Sequence, residues 1–392
     1  MVWAHGRGDI VSVEGVGRPG NRTGGIFPDV SRPGQGNDRV AKALIWHGIA
    51  TEFGLLWPKP TWGNVMRLAH AILGASLALA TPAPAETTLR IMSYNIWGGG
   101  GNEAKGIAET LVVLRAANPD IIGMQETMLE ADPCTAESCP PNGKSVAKEI
   151  AEALGFFHYD QPAAMTGTWA NAILSRYPIG AATPNGLGAP IEVNGTDVWL
   201  FNLHHDDEPY QPYQLLEIPY GPAPFITTEV EAVDWAEKTR GPAMAALEAD
   251  MSQAAGALVI VTGDFNEPSS LDWTEATVIA GHQPIAVAWP ASQRLTDAGF
   301  IDAYRAIYPG PVAKPAYTWT PRYDEKAVDD HPDRIDFVLV KGPGVTEAAI
   351  VGETGPRTDL AVDPWPSDHR AVLAGDPVLT TAPGHGQVGI NC

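Results

Sequence analysis

Leu258-Val259-Ile260-Val261-Thr262 runs directly into Gly263-Asp264-Phe265-Asn266. The first five residues are apolar or β-branched and show no helical spacing, so they read as a buried strand. The glycine then leaves an acid and an amide at the strand's C-terminal end.

The same arrangement recurs upstream. Leu89 to Ile96 is apolar enough for a buried strand, is broken by Gly98 to Gly101, and carries Asn95 near its end. Asp120 to Glu126 and Val198 to His204 repeat it, ending on Glu126 and His204, and Asn171 to Arg176 reads as a further strand. Helical spacing fills the gaps. Ile107, Leu111 and Leu114 are stopped by Asn118-Pro119; Val146, Ile150 and Leu154 are closed by Gly155. Thr228 with Glu231 resembles a capping box opening a helix that, allowing for a break at Gly241-Pro242, runs towards Ala254. Strands are expected around Tyr317 to Thr320, Arg334 to Val340 and His369 to Leu373. The alternation is α/β, and one catalytic domain is expected at about residues 86–380, followed by a tail over 381–392.

The 392 residues are 44% hydrophobic, enough for a substantial core. Met66 to Ala85 has a basic start at Arg67, an apolar run from Ala71 to Ala80 and a small-residue exit at Ala83-Pro84-Ala85, the layout of a secretory signal peptide. The apolar run is too short for a bilayer span, which needs about 20 residues. Cleavage is expected after Ala85, giving a secreted or periplasmic protein. Residues 1–65 in front of a signal peptide are anomalous, and translation is expected to start at Met66, the alternative being a genuine extension. The mature chain would hold 17 basic and 41 acidic residues, a formal charge of −24. A broad basic surface for nucleic acid is therefore absent, although a local cationic cleft is not excluded. Cys134 and Cys139 bracket four residues and read as a small local disulfide in an oxidising compartment; Cys392 is left odd.

Taken singly, the polar residues at strand ends have plain structural readings as turn formers, strand termini or a core histidine. Jointly, carboxylates and amide oxygens converging on one rim of a sheet suit a hard, oxygen-preferring cation such as Mg²⁺, with histidines beside it for protons or phosphate charge. Gly98 to Gly101 lacks the Gly-Lys-Ser/Thr ending of a Walker loop.

Ser93-Tyr94-Asn95, Gln125-Glu126, Asn202-Leu203-His204, Gly263-Asp264-Phe265-Asn266, Arg334-Ile335-Asp336 and Ser367-Asp368-His369 together resemble the ordered motifs of the endonuclease/exonuclease/phosphatase (DNase I-like) superfamily. The likeness spans roughly Leu89 to Leu373. It implies a four-layer α/β/β/α sandwich with two packed, largely antiparallel sheets and a site at one end. It also implies Mg²⁺ or Mn²⁺, with Glu126 as the principal metal carboxylate and Asn95 and Asp368 near the metal or its waters. Asp264 would orient or deprotonate the attacking water. Asn266 and His204 would donate to phosphoryl oxygens, and His369, paired with Asp336, would present an N–H to the scissile phosphate.

Arg176 and Arg334 read as phosphate clamps or as partners of acidic neighbours. His205 and His331 fall on no position whose role the resemblance supplies. The Pro-rich segment Asp206 to Phe225, with Tyr210 and Tyr213, is expected to wall a pocket for a small organophosphate or a phospholipid headgroup. The alternatives are a nonspecific nuclease acting on DNA or RNA and a non-catalytic binding module.

Overall fold

The computed structural model describes residues 85–130, 141–162, 167–255, 258–321 and 327–380. Residues 66–84 of the expected signal peptide, Cys134, Cys139 and Cys392 lie outside them.

The first elements among the described residues are β1 (Ala85–Asn95), the 3-10 turn Gly98–Glu103 and α1 (Ile107–Ala117), then β2 (Ile121–Gln125). Asn118 ends α1 in the left-handed conformation that asparagine tolerates. The short pair β3 (Leu129–Glu130) and β4 (Pro141–Asn142) precedes α2 (Ala147–Leu154), which Gly155 closes at φ 71°. β5 (Phe157–Asp160), β6 (Ala172–Ser175), β7 (Gly188–Val193) and β8 (Thr196–His204) follow. The next elements are α3 (Gln211–Leu215), α4 (Glu229–Met251) and β9 (Leu258–Asp264). The Thr228 and Glu231 side chains form the expected reciprocal cap, but no break occurs at Gly241-Pro242: α4 carries Pro242 inside it. Packing of its apolar face outweighs the lost backbone bond.

The rest of the chain is α5 (Glu275–Ile279), α6 (Pro290–Asp297), β10 (Ile301–Asp302), α7 (Ala303–Ile307), β11 (Asp336–Lys341), β12 (Glu347–Gly352), β13 (Leu360–Ala361) and β14 (Ala371–Thr380). Tyr317 to Thr320 is not a strand. Trp319 alone makes isolated bridges, to Asp333 and to His369, because Thr318 turns its hydroxyl inward to accept the N–H groups of Ile335 and Asp336.

Seven strands form one sheet in the order β13-β12-β14-β1-β2-β6-β5, and five form the second, β10-β11-β9-β8-β7. Antiparallel pairs predominate; β1–β2, β8–β9 and β12–β13 are parallel. Successive residues of a strand face opposite ways, which separates three apolar layers. Ile91, Ile121, Leu200, Ile260, Val338 and Val372 meet between the sheets. Met92, Met124, Leu111 and Ile150 pack the first sheet against α1 and α2. Phe201, Val261, Met244, Leu247 and Leu295 pack the second against α4 and α6. The result is the expected four-layer α/β/β/α sandwich.

At one end the sheets approach through polar groups. Asn202 donates to Met124 O (3.0 Å) and accepts from Gln125 Nε2 (2.6 Å), and Gly263 N donates to Ser93 Oγ (3.0 Å). A side chain at Gly123 would meet Thr262 Oγ1 at 1.9 Å, so only glycine permits this approach. The polar staple lies directly beneath the functional rim.

Candidate active site

Register explains why distant residues converge. In the parallel pairs, Asn95 lies opposite Gln125 and His204 opposite Asp264, so four strands end on the same rim. Their antiparallel neighbours begin there. Asp336, first residue of β11, faces Asp264, and Asp368 and His369 lie three and two residues ahead of β14, which pairs antiparallel with β1.

The side chains form one buried cluster. Asn95 Nδ2 donates to Glu126 Oε1 (2.8 Å) and to Asp264 Oδ2 (3.1 Å), while its Oδ1 accepts from Trp97 N (3.0 Å). Asn95 thus presents amide hydrogens to the carboxylates and holds them apart; its oxygen is committed to the backbone. Asp264 Oδ1 accepts from Asn266 N (2.9 Å), and Asn266 Nδ2 donates to His205 O (2.9 Å). Glu126 and Asn266 lie just past their strands with φ of 53° and 45°. Left-handed backbone is costly for a glutamate and cheap for an asparagine. At Glu126 it is stabilised by the bond from Gly98 N to Glu126 O (2.7 Å).

Two imidazoles flank the acids. His204 gives its Nδ1 hydrogen to Trp169 O (3.3 Å), so Nε2 faces Glu126 Oε1 at 3.8 Å and Asp264 Oδ2 at 3.7 Å. His369 binds Asp336 Oδ2 through Nδ1 (2.9 Å) and brings Nε2 to 3.6 Å from Asp264 Oδ2. Burial works against charge on His369, but Asp336 and Asp264 outweigh it and hold the imidazole well above its ordinary pKa. Burial likewise pushes Asp336 up to about 6, against the pull of His369. The pair therefore stands as imidazolium and carboxylate at neutral pH.

Glu126 bears the opposite stress. Burial, then the charge of Asp368, pushes its carboxyl up to about 8 although His369 and Asn95 oppose this. Its Oε2 is buried without a hydrogen-bond partner among the described residues. One oxygen each from Glu126 and Asp264 and one His369 nitrogen lie within 4.8 Å of one another. A protonated His369 cannot ligate, so Glu126, with partly exposed Asp368 beside it, is the fitting anchor for a divalent cation.

For Arg176 and Arg334 the ion-pair reading holds in place of the phosphate clamp, and the expected pocket-walling role of Tyr210 and Tyr213 is corrected. Arg176 lies at the opposite rim, about 20 Å from Glu126 by strand rise, where it binds Asp120 Oδ1 (2.9 Å). Arg334 is fully buried and held by Asp272 (2.8 Å) and Asp302 (2.7 Å), so it points into the protein. Tyr210 and Tyr213 are buried with their hydroxyls given to Asp333 and Asp330 (both 2.7 Å); they anchor the segment after β8 and do not wall a pocket. His331 pairs with the same Asp333 (3.1 Å).

Two aromatic residues beside the site were given no role in the sequence reading. Trp169 sets its ring edge against His204 at 5.6 Å between centroids, and both rings retain partial exposure. Trp319 bridges His369, and residues directly opposite in such a bridge share a face. Its partly exposed ring covers Tyr210 and Tyr213 at 6.1 and 6.0 Å.

The model of the Endonuclease/Exonuclease/phosphatase family matches residues 92–369, a span containing every residue of the cluster. An uncharacterized protein of Caenorhabditis elegans is 26% identical over 332 residues, covering 77% of this chain and 96% of its own length. Among solved structures the chain is similar to the 3′ phosphatase NExo from Neisseria bound to a product DNA hairpin. That match has a TM-score of 0.44 at 18% identity over 73% of this chain and 98% of that one. It is also similar to an AP endonuclease from Archaeoglobus fulgidus, with a TM-score of 0.42 at 17% identity over 73% and 98% of the two chains.

Proposed function

This chain belongs to the endonuclease/exonuclease/phosphatase family, hydrolases of phosphoester bonds, and we propose that its own reaction is Mg²⁺- or Mn²⁺-dependent hydrolysis of a small organophosphate or phospholipid headgroup. Attack is by water, in line with the leaving oxygen, with no covalent enzyme intermediate.

Glu126 Oε2 and the neighbouring Asp368 would hold the cation, which when bound supplies Lewis-acid stabilisation of a phosphoryl oxygen. The chain's own groups do the rest. Asp264, fixed by Asn95 and by the Asn266 N–H, orients the water and accepts its proton. Asn266 spends one Nδ2 hydrogen on His205 O and keeps the second for a phosphoryl oxygen. His369, charged by Asp336, offers Nε2–H where negative charge accumulates, and His204 Nε2 faces the same space.

The observation that carries the substrate reading is what surrounds this cluster. The guanidinium groups of Arg334, Arg240 and Arg370 are buried, and Arg334 and Arg370 are bound to carboxylates. Partly exposed indoles, Trp169 and Trp319, stand beside His204 and His369 instead. A polynucleotide is held through several phosphates at once and needs free cations along its path. One ester with an organic substituent needs an aromatic face and the central cation.

Trp169→Ala and Trp319→Ala test this on bis-p-nitrophenyl phosphate and plasmid DNA, with Mg²⁺, Mn²⁺ or EDTA. Raised KM for the small ester, with plasmid untouched by wild type, supports the proposal. Metal-dependent plasmid nicking that the tryptophan variants keep would replace it by the nuclease reading.

We also propose that the protein is secreted or periplasmic, on the signal-peptide layout of Met66 to Ala85. Mass spectrometry of the exported chain should find Glu86 at its N-terminus, and an intact leader on a cytoplasmic protein would refute it.

A further inference from the structure

β8 turns His204 to the site and therefore its next residue, His205, to the opposite face. His205 is 2% exposed, and its ring stands edge-on to Phe265 at 5.1 Å between centroids. Its peptide joins two parts of the site: its N–H donates to Asp264 O (3.0 Å), and its carbonyl accepts from Asn266 Nδ2 (2.9 Å).

Behind this peptide lies Arg240, in the middle of α4 and 1% exposed. Its Nη1 donates to Gln211 Oε1 and its Nη2 to Pro209 O (3.3 Å), while Gln211 Nε2 also donates to Pro209 O (2.8 Å). Pro209 and Gln211 belong to the segment that leaves His204. A third buried group, Glu267, directly follows Asn266, is 1% exposed, and accepts the Ala291 N–H at 2.7 Å in α6. Burial pushes its carboxyl up to about 7, and Arg240 is the foremost charge opposing that rise. His205 is driven down to about 3, first by burial and then by Arg240, so it stays neutral beside the guanidinium.

We propose that Arg240 is a positioning residue: one buried guanidinium, by fixing the segment that follows His204, holds His204 and, through the His205 carbonyl that accepts from Asn266, the Asn266 amide in register across the site. An isolated buried guanidinium would be strongly unfavourable. Its planar fork instead fixes Gln211 and Pro209 in direction, which a lysine ammonium cannot do.

The inference rests on hydrolysis by this site and not on which ester is cleaved. Rates are therefore measured on bis-p-nitrophenyl phosphate with Mn²⁺, or on plasmid DNA if that is what wild type cleaves. Arg240→Met, purified as a cooperatively unfolding protein, should lose about 100-fold in kcat, the scale of a 1 Å misplacement, with KM changed much less. Arg240→Lys should recover stability but only part of kcat. Gln211→Met, which removes one of the two bonds from Arg240 to this segment, should lower kcat on its own, so the test survives if Arg240→Met does not fold.

Asp250→Asn is the control. Asp250 is equally buried at the far end of α4, accepting from Thr183 Oγ1 (2.5 Å), Asn185 N (3.0 Å) and Leu187 N (3.1 Å). It should lose stability with kcat intact. Unchanged kcat in folded Arg240→Lys and Gln211→Met, or an equal kcat loss in Asp250→Asn, would overturn the proposal.

Discussion

Glu126→Gln separates the two demands on the central carboxylate. A buried carboxyl raised from 4.5 to about 8 by burial and by Asp368 carries a charging cost of up to about 5 kcal/mol in the folded state. Between pH 4.5 and 8 the folded protein binds more protons at this position than the unfolded chain does. Wild-type stability should therefore fall as pH rises through that window and level off above it. Glutamine keeps the shape and the Asn95 contact without the charge. In urea unfolding with EDTA, the variant should match or fall below wild type near pH 5 and exceed it by several kcal/mol near pH 9. Adding Mn²⁺ should reverse the order. Wild type gains stability and releases a proton on binding, whereas the variant gains little and is inactive. Parallel stability curves for the two proteins from pH 5 to 9 would refute the assignment of a strained, cation-seeking charge to Glu126.

Other outcomes follow from the same geometry. Asp336→Asn removes the foremost group that raises His369, so the alkaline limb of the pH–kcat profile should move to lower pH; an unmoved limb would remove His369 as the charged donor. Arg334→Met leaves Asp272 and Asp302 without their guanidinium and should cost about 3–5 kcal/mol of stability, with KM unchanged; a large rise in KM in folded protein would restore the phosphate-clamp role. Tyr210→Phe deletes the donor to Asp333 and should cost about 1–3 kcal/mol in urea unfolding, with kcat and KM near wild type.

The sandwich was legible because its central strands are uninterrupted apolar runs. Those runs end on polar residues that a buried strand would not otherwise tolerate, and the register places Asn95, Glu126, His204 and Asp264 on one rim. Charge direction was not legible. Arg334 sits beside a site motif, yet its partners Asp272 and Asp302 are 62 and 32 residues away in sequence. Tyr210 and Tyr213 resembled pocket residues because nothing local reveals that Asp333 and Asp330, 123 and 117 residues distant, take their hydroxyls. Trp169 and Trp319 stand in irregular segments, where neither period 2 nor period 3.6 marks a facing side. Short elements such as β13 and α7 have too few residues to show a pattern. Pro242 reads as a helix break, but the tertiary packing of α4 overrides it.

The most direct test of the central claim is a substrate panel on protein beginning at Glu86. Bis-p-nitrophenyl phosphate, nitrophenyl phosphate, sphingomyelin, inositol phosphates, RNA and plasmid DNA would each be assayed with Mg²⁺, Mn²⁺ or EDTA. The account predicts turnover of a small ester or headgroup that vanishes in EDTA and in Glu126→Gln, with plasmid and RNA intact. Cleavage that persists in EDTA, or in Glu126→Gln with metal present, would contradict it.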